Sequence, residues 1–318
     1  MTIIEPTTGV AHLLRIADLD APALHALLDQ AARMKQDRRG YRDVLAGESV
    51  ACYFAKPSTR TRTSFETACA RLGATPMMLR PDELQLGRGE PIADTARVLS
   101  SYAAAIVIRT FAQAEIEEVA AHSAVPVINA LTDEHHPCQA LADLLTLHER
   151  FGRLDGLRLA YVGDGNNVAH SLLEAGALAG MEIVVAAPAG YWPHASVMTW
   201  AEHQAARRGG RVAVLDDPAE AVRGAHAVYT DVWVSMGQDE ERERRLADLA
   251  PYRVTAQLMD RARDDAVFLH CLPAHRGQEV EAAVIDGARS VVWEQAANRL
   301  PTEQAVLAAL AGRRLTPR

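Results

Sequence analysis

The chain has 318 residues, of which 49% are hydrophobic and 23% charged, and its formal net charge is -8 at pH 7. This length favours two α/β domains of roughly 150 residues each, and the composition is that of a globular rather than a disordered protein. The acidic balance counts against nucleic-acid binding, which needs clustered Lys and Arg, and no apolar run reaches the roughly 20 residues of a membrane helix.

Short apolar runs rich in β-branched residues alternate with helical patterns along the chain. The predicted strands are residues 50–54, 105–108, 125–131, 157–162, 183–187, 212–215, 227–230 and 267–269. Strands that alternate with helices predict parallel sheets covered by helices on both faces. We therefore expect an α/β protein with two domains, residues 1–150 and 151–294, each a parallel β-sheet flanked by helices. A C-terminal helix over about residues 295–318 is expected to pack back on the first domain.

Residues 54–62, Phe-Ala-Lys-Pro-Ser-Thr-Arg-Thr-Arg, join the end of a strand to the start of a helix. The N–H groups and dipole of a helix start favour an anion there. Ser58, Thr59 and Thr61 offer hydroxyl donors, and Arg60 adds a charged fork. The plain alternative is a capped helix with a solvated basic turn, but two hydroxyl–arginine pairs in five residues favour phosphate. The GxxxxGK[ST] pattern of a nucleotide P-loop is absent.

A second helix is predicted from Pro137 to near Gly152, because apolar residues recur at helical spacing and proline suits a first turn. We expect this helix to bridge the two domains. His136 and Gln139 would lie near its start, where they could polarise a carbonyl group and hold an amide. A histidine helix cap is the simpler alternative. A metal site of His135, His136 and Cys138 is disfavoured because no second ligand pair is evident.

Three further segments follow predicted strands, at the sheet edge where α/β proteins bind ligands. They are GDGNN at 163–167, DVWVSMG at 231–237 and HCLP at 270–273. The first resembles half of a dinucleotide fingerprint, which leaves a dehydrogenase as an alternative, but Val168 replaces the third glycine. Asp231 could pair with a substrate ammonium. Cys271 could be a nucleophile, a proton acceptor or a buried small residue.

Taken together and in this order, the segments resemble the aspartate/ornithine carbamoyltransferase family, and within it the ornithine carbamoyltransferases, from about residue 13 to 310. The motifs are STRTR at 58–62, QLGRGE at 85–90, DTARVL at 94–99, RTF at 109–111, HPCQ at 136–139, GDGNN, DVWVSMGQ, HCLPAHRG at 270–277 and EQAANR at 294–299. The resemblance implies transfer of the carbamoyl group of carbamoyl phosphate to the side-chain amine of L-ornithine, giving citrulline and phosphate in arginine metabolism. It implies no metal and no organic cofactor.

The resemblance also assigns the domains and the site residues. Residues 1–150 would bind carbamoyl phosphate and residues 151–294 ornithine. Carbamoyl phosphate would contact Ser58, Thr59, Arg60, Thr61, Gln85, Arg109, His136, Pro137, Cys138, Gln139, Cys271, Leu272 and Arg299. Ornithine would contact Asn167, Asp231, Ser235 and Met236. Arg109, His136 and Cys271 would be catalytic. The family's trimer would place Gln85 of one subunit in the site of its neighbour.

Two departures and two alternatives besides the dehydrogenase accompany this interpretation. Pro91 stands where many relatives have serine, and a charged run over 239–245 follows the SMG element, whose ordering it would affect. The acceptor could be putrescine, an acylated ornithine, lysine or aspartate, although STRTR, SMG and HCLP together favour free ornithine. An inactive paralogue is the third alternative, and the presence of every expected site residue counts against it.

The cellular location is expected to be the cytoplasm. Residues 1–13 carry acidic and polar side chains where a secretory signal would have a basic end and an apolar stretch. The four cysteines are far apart and lack paired metal spacing. We therefore expect them to be thiols.

Overall fold

The computed structural model describes residues 9–84, 89–235 and 237–312. The chain forms two compact units, one of Met1–Leu145 with Asn298–Arg318 and one of Thr146–Ala297. Among the helices of the described residues, none combines the length and the apolar character needed to cross a membrane.

The first unit contains a parallel sheet with strands in the order β2-β1-β3-β4. Its strands are β1 (Ser49–Phe54), β2 (Thr75–Leu79), β3 (Ala105–Arg109) and β4 (Val127–Leu131). Its helices are α1 (Ala21–Gln36), α2 (Thr59–Leu72), α3 (Ile92–Tyr102), α4 (Gln113–His122) and the first half of α5 (Pro137–Phe151). The central strand β3 is buried along its whole length, as expected for a parallel strand covered on both faces.

Register fixes which residues emerge together at the carboxyl edge of this sheet. Phe54 of β1 pairs with Arg109 of β3, which in turn pairs with Leu131 of β4. The ladder continues one residue further, since Ala55 N–H donates to the Arg109 carbonyl at 2.8 Å and Thr110 N–H to the Leu131 carbonyl at 3.0 Å. The segments after β1, β3 and β4 therefore start side by side.

The second unit contains a parallel sheet in the order β7-β6-β5-β8-β9. Its strands are β5 (Arg158–Val162), β6 (Glu182–Ala186), β7 (Arg211–Leu215), β8 (Ala227–Thr230) and β9 (Val267–His270). Its helices are α6 (Asn167–Leu178), α7 (Ala195–Arg208), α8 (Pro218–Val222), α9 (Arg242–Leu249), α10 (Ala256–Met259) and α11 (Ala282–Ile285), and the last helix, α12 (Val292–Ala311), begins here. The chain passes between the units within α5 and again within α12.

The centre of this second sheet is tied together near its carboxyl edge. Thr230 Oγ1 donates to the Val162 carbonyl at 2.6 Å, which links the ends of β8 and β5. The rings of Tyr161 and Tyr229 stack with centroids 5.6 Å apart on the same two strands. Both rings are buried, so the end of each strand is held by packing as well as by the ladder.

The predicted fold class is confirmed: both sheets are parallel and flanked by helices. One strand, β2, has no counterpart among the predicted strands. Its sequence, Thr-Pro-Met-Met-Leu, has one β-branched residue, and its residues are partly or fully exposed at the sheet edge. Proline and partial exposure suit an edge strand but remove the apolar, β-branched pattern by which strands are recognised.

Candidate active site

The segment at residues 54–62 forms the end of β1 and the start of α2, as the sequence predicts. Ser58 is the N-cap residue, and its Oγ accepts a hydrogen bond from Thr61 N–H at 3.3 Å. Thr59 and Arg60 are the first two helical residues, and Thr61 is buried. The first N–H groups of a helix have no partners within the helix, and this end of α2 is therefore suited to an anion.

The two arginines of the segment point in different directions. Arg62 is exposed and donates from Nε to Glu66 at 3.1 Å along the helix surface. Arg60 is half-buried and lies close enough to His136 to influence its pKa. The sequence argument gave weight to both hydroxyl–arginine pairs, but in the structure only Arg60 of the two arginines is shown to interact with His136.

His136 lies at the centre of the first unit's polar residues, just before α5. The preceding turn is closed by Thr132 N–H donating to the His135 carbonyl at 2.9 Å. Burial, together with the nearby guanidinium groups of Arg299, Arg109 and Arg60, lowers the pKa of His136 well below its usual value. A histidine in this environment is neutral at neutral pH, so its ring can donate a hydrogen bond without adding a fourth positive charge. We call Arg60, Arg109 and Arg299 the arginine cluster.

Arg299 is the member of the arginine cluster that lies on α12, and its guanidinium forms hydrogen bonds with three side chains. Its Nη1 donates to Gln139 Oε1 at 3.0 Å and its Nη2 to Thr61 Oγ1 at 3.1 Å. Its Nε and Nη2 both donate to Glu303 Oε1, at 3.1 and 2.7 Å. The starts of α2 and α5 are thereby linked through one guanidinium. Gln139 also donates from Nε2 to Asp143 at 2.7 Å.

The two residues between His136 and Gln139 have structural roles in the turn. Pro137 is the first residue of α5, where its missing N–H costs nothing. The Cys138 thiol donates to the Asn129 carbonyl at 3.4 Å, and burial raises its pKa. This thiol is therefore protonated, and it links the start of α5 to Asn129 in the middle of β4.

In the second unit, Asn166, which precedes the predicted Asn167, caps helix α6 and also binds Asp231. Asn166 is the N-cap of α6, with Oδ1 accepting from Val168 and Ala169 N–H at 3.0 and 3.3 Å. Its Nδ2 donates to Asp231 Oδ2 at 2.9 Å. Asn167, predicted as an ornithine contact, is the first residue of α6. The sequence analysis assigned the ornithine contact to Asn167 and gave no role to Asn166, although an Asn directly after a strand and turn is a recognisable N-cap signal.

In the GDGNN turn, close packing requires glycine at position 165. A Cβ on Gly165 would lie 2.5 Å from Pro193 N and 2.7 Å from the Tyr191 carbonyl oxygen. Gly165 N–H also donates to that carbonyl at 2.8 Å. Val168, at the position of the third fingerprint glycine, is buried in α6. The close approach is thus to the chain's own loop at 191–193, which counts against the dinucleotide alternative.

Asp231 and Cys271 meet at the ends of β8 and β9. The Cys271 thiol donates to Asp231 Oδ1 at 2.9 Å, so both carboxylate oxygens receive a bond from a neutral donor. Asp231, His270 and Cys271 have ligand-type atoms within 4.8 Å of one another. The His270 ring is committed elsewhere, since Nδ1 accepts from Leu272 N–H at 2.9 Å and Nε2 lies 3.3 Å from Glu279 Oε1. This arrangement serves the turn rather than a metal.

The HCLP turn has an unusual backbone. Leu272 has φ 59° and is followed by a cis bond to Pro273. A positive φ is uncommon for a bulky residue and is kept only when surrounding contacts enforce it. Here His270 supplies the contact to Leu272 N–H, and Glu279 accepts from His275 N–H at 2.5 Å. The direction of the Leu272 carbonyl is therefore fixed by buried residues.

The SMG element is anchored by the helix that follows it. Ser235 N–H donates to Gln238 Oε1 at 2.9 Å. Arg245 of α9 donates from Nε to the Trp233 carbonyl at 2.6 Å and forms an ion pair with Asp164 of the GDGNN turn. Burial, with Asp231 nearby, raises the pKa of Asp164 to about 6, although Arg245 opposes this shift. Arg245, the last residue of the charged run at 239–245, thus holds the segment after β8 against the GDGNN turn.

The structure therefore gathers the predicted residues into two groups. Ser58, Thr59, Arg60, Thr61, Arg109, His136, Pro137, Cys138, Gln139 and Arg299 belong to the first unit. Asn167, Asp231, Ser235, Cys271 and Leu272 belong to the second. Gln85 and Met236 lie outside the described residues. The sequence analysis did not single out Asn166, Glu279 or Glu303, whose partners are distant in sequence or on the next helical turn.

Comparison of the sequence with known protein families matches the two parts of the chain to two domains of one family. Residues 11–149 match the family described as "Aspartate/ornithine carbamoyltransferase, carbamoyl-P binding domain", and residues 155–310 match its "Asp/Orn binding domain". The ornithine carbamoyltransferase of Acidothermus cellulolyticus is 54% identical over 301 residues, covering 95% of this chain and 96% of that protein.

Solved structures give the same result. The ornithine carbamoyltransferase of Pyrococcus furiosus superposes with a TM-score of 0.92 at 48% identity, covering 96% of this chain and 98% of that one. The enzyme of Gloeobacter violaceus superposes with a TM-score of 0.87 at 49% identity, covering 96% and 99% of the two chains.

Proposed function

The chain belongs to the aspartate/ornithine carbamoyltransferase family, and on that premise we propose that its first unit binds carbamoyl phosphate and its second unit ornithine. The enzyme transfers the carbamoyl group of carbamoyl phosphate to the side-chain amine of L-ornithine, giving L-citrulline and phosphate. The observation that carries the assignment is the arginine cluster around a neutral His136. Such a site suits a ligand that combines a phosphate dianion with a polar carbonyl group.

Carbamoyl phosphate binds at the start of α2 in this proposal. Its phosphate oxygens accept hydrogen bonds from the N–H groups of the first turn, from the hydroxyls of Ser58, Thr59 and Thr61, and from Arg60. Arg109 and Arg299 supply further donors, and Arg109 is held by the ladder at the end of β3. Gln85 is proposed to add a contact from a neighbouring subunit.

The carbamoyl end of the same ligand lies at the start of α5. His136 and Arg109 donate to its carbonyl oxygen, and Gln139 accepts from its amide nitrogen. As the amine attacks, negative charge develops on the carbonyl oxygen, where fixed donors stabilise the transition state more than the ground state. The neutral state of His136 leaves its ring N–H available for this role.

Ornithine binds at the carboxyl edge of the second sheet. Asp231 offers its carboxylate to the α-ammonium group, and its two visible partners are the side chains of Asn166 and Cys271, which carry no positive charge. Asn167, Ser235 and Met236 complete the contacts to the α-amino and α-carboxylate groups. The Leu272 carbonyl, fixed by the HCLP turn, and Cys271 face the reacting amine.

The chemical step needs the δ-amine in its neutral form. An unperturbed alkylammonium has a pKa near 10.4, so its deprotonation at neutral pH costs about 4–5 kcal/mol. A thiolate at Cys271 would favour the charged amine instead, and in the structure this group is a thiol that donates to Asp231. The amine nitrogen attacks the carbonyl carbon, the carbon–oxygen bond to phosphate breaks, and the nitrogen's proton passes to a phosphate oxygen. No covalent bond to the enzyme forms.

A trimer in the cytoplasm completes the proposal. Val98 and Tyr102 on α3 and Phe111 after β3 are large apolar side chains with 47%, 68% and 46% of their surface exposed. A cavity of about 300 Å³ lies beside α3. Exposed apolar surface of this kind supports a subunit interface, and four free thiols support a reducing compartment. Light scattering is expected to give the mass of three chains, and Tyr102→Glu to reduce it.

A colorimetric assay of the ureido product tests the reaction directly. Carbamoyl phosphate is supplied with ornithine, putrescine, lysine, N-acetylornithine or aspartate. We expect strong turnover with ornithine alone. Turnover with a different amine would leave the first unit's assignment in place and overturn the second's, and a lack of product from every amine would indicate an inactive paralogue.

A further inference from the structure

A buried carboxylate stands directly behind the arginine cluster. Glu303 lies one helical turn after Arg299 on α12, and its side chain has no exposed surface. Its Oε1 accepts two bonds from the guanidinium of Arg299, which is itself almost fully buried. A buried charge pair is costly unless both members are well bonded, so this pair needs an explanation beyond stability.

The bonds of Arg299 show what the carboxylate does. A guanidinium has five N–H donors. Within the part of the chain that the structure describes, two of them point to Glu303, one to Thr61 and one to Gln139. One N–H on Nη1 remains beyond these bonds. The four bonds hold the guanidinium plane, so that this last donor has one fixed direction.

We propose that Glu303 is a positioning residue of the phosphate site: it fixes the Arg299 guanidinium for a single contact with the bound anion, and its ionisation sets how strongly a doubly charged anion binds. The inference rests on the proposed function of the first unit. When Glu303 is ionised, it offsets one of the three arginine charges, and its own charge repels the ligand across a buried, weakly screened distance. When it is protonated, the full charge of the cluster acts on the anion.

Glu303 lies in a buried set of ionisable side chains that also includes Asp143 of α5, which interacts electrostatically with Arg299. Glu303 faces Arg299 on its own helix, the Ser64 hydroxyl on α2, and the thiols of Cys52 on β1 and Cys138 on α5. The pKa of each thiol is raised, so both stay protonated. Burial raises the pKa of Glu303 to about 7, although Arg299 and the hydroxyl of Ser64 oppose the shift.

The sign of the pH effect follows. A bound dianion raises the pKa of Glu303 further, so binding near pH 7 takes up a proton. By linkage, the affinity for the anion falls as the pH rises through 7, by at most about tenfold per pH unit for one proton. His136, which is a neutral base, also lies close to the arginine cluster. Because its pKa is lowered well below its usual value, its proton uptake belongs to more acidic solutions and does not depend on Glu303.

Sulfate is a suitable probe because it remains a dianion between pH 6 and 9, whereas phosphate titrates in that range. Calorimetric titrations of the full-length protein in buffers of different ionisation enthalpy give both affinity and proton uptake. We expect the wild type to take up a fraction of a proton at pH 7 and to lose affinity from pH 6.5 to 8.5. Glu303→Gln keeps an acceptor for Arg299, so it should bind more tightly at pH 8 and lose most of this pH dependence.

Two further variants separate the parts of the proposal. Glu66→Gln removes a half-exposed carboxylate of α2 that pairs with Arg62, and it should behave as the wild type. Glu303→Asp keeps the charge on a shorter side chain, so it should retain the pH dependence but bind sulfate more weakly. Steady-state kinetics should show Glu303→Gln changing the KM for carbamoyl phosphate and leaving that for ornithine unaltered.

The outcomes are distinguishable. Equal affinity and equal proton uptake in wild type and Glu303→Gln would overturn the role of Glu303 and leave the phosphate site in place. If the wild type bound neither sulfate nor carbamoyl phosphate, the proposed site itself would be wrong, and the inference with it. Should Glu303→Gln fail to fold, the wild-type measurement decides, since an absence of proton uptake at pH 7 contradicts the proposal.

Discussion

In the first unit the ends of β1 and β3 and the start of α5 carry two guanidinium groups and a neutral imidazole, whereas in the second the ends of β5, β8 and β9 carry an amide, a carboxylate and a thiol. Both sets lie at the carboxyl edge of a parallel sheet. The sheets therefore supply the same platform, and the ligand preference comes from the few residues that follow each strand.

The two regions also control charge differently. In the first, burial among arginines keeps His136 neutral, and Glu303 offsets part of the positive charge. In the second, the carboxylate of Asp231 accepts bonds from Asn166 and Cys271, and neither of these donors carries a positive charge. This difference supports the proposal that the first region binds an anion and that the second binds an ammonium group. Variants that remove charge but not shape test this contrast.

The largest effect is expected from Arg60→Ala. Loss of its charge-assisted contacts to phosphate should weaken carbamoyl phosphate binding by several kcal/mol, or about 100-fold or more. Calorimetry of the binary complex measures this change. Arg62→Ala is the matched control, since Arg62 bonds only along the helix surface with Glu66 in the described structure, and its affinity should stay near the wild-type value. Equal affinities in both variants would remove Arg60 from the site.

Asp231→Asn should give the next largest effect, and this effect should concern ornithine rather than carbamoyl phosphate. The amide keeps the shape, and its single oxygen can still accept the bond from Asn166 or the bond from Cys271, but it lacks the charge for the ornithine ammonium. We expect the KM for ornithine to rise by about 10- to 100-fold, with the affinity for carbamoyl phosphate unchanged. A loss shared equally by both substrates would contradict the division of roles between the units.

A smaller effect concerns acid stability and His136. Because its pKa is lowered in the folded state, the unfolded chain binds more protons as the pH falls through about 6.5. Stability contributed by the neutral histidine is therefore present at higher pH and lost in acid, by about 1–2 kcal/mol between pH 7 and 5. His136→Gln should lack this part of the loss when urea unfolding is followed at both pH values. Parallel losses in the two proteins would mean that His136 titrates normally.

Cys271→Ser should have the smallest effect. The hydroxyl can donate to Asp231 as the thiol does, and the mechanism forms no bond to sulfur. We expect kcat/KM for ornithine to fall by no more than about fivefold, the scale of one altered neutral hydrogen bond. Cys271→Ala removes the donor, so its kcat/KM for ornithine should be lower than that of Cys271→Ser. Mass spectrometry that trapped a carbamoylated Cys271 during turnover would contradict the proposed chemistry.

Some of the molecule could be predicted from the sequence because the signals are local. The alternation of apolar runs and helical patterns gives the parallel α/β fold, and the residues that follow each strand mark the binding edge. Ser58 as a helix cap and Pro137 as a first helical residue follow from neighbouring residues alone. The edge strand β2 was not predicted, because its partial exposure and its residue types weaken the apolar, β-branched pattern of a strand.

The sequence by itself thus determined the fold class and the family, and it predicted the segments that are proposed to carry the site. Only the tertiary structure decided which side chains meet: Arg299 with Thr61, 238 residues apart, Asn166 with Asp231, 65 apart, and Arg245 with Asp164, 81 apart. Local patterns cannot specify such pairs, because each contact depends on the register of the sheet and the packing of helices from distant parts of the chain. The same holds for charge, since a histidine becomes neutral and a glutamate titrates near pH 7 only where folding buries them beside arginines.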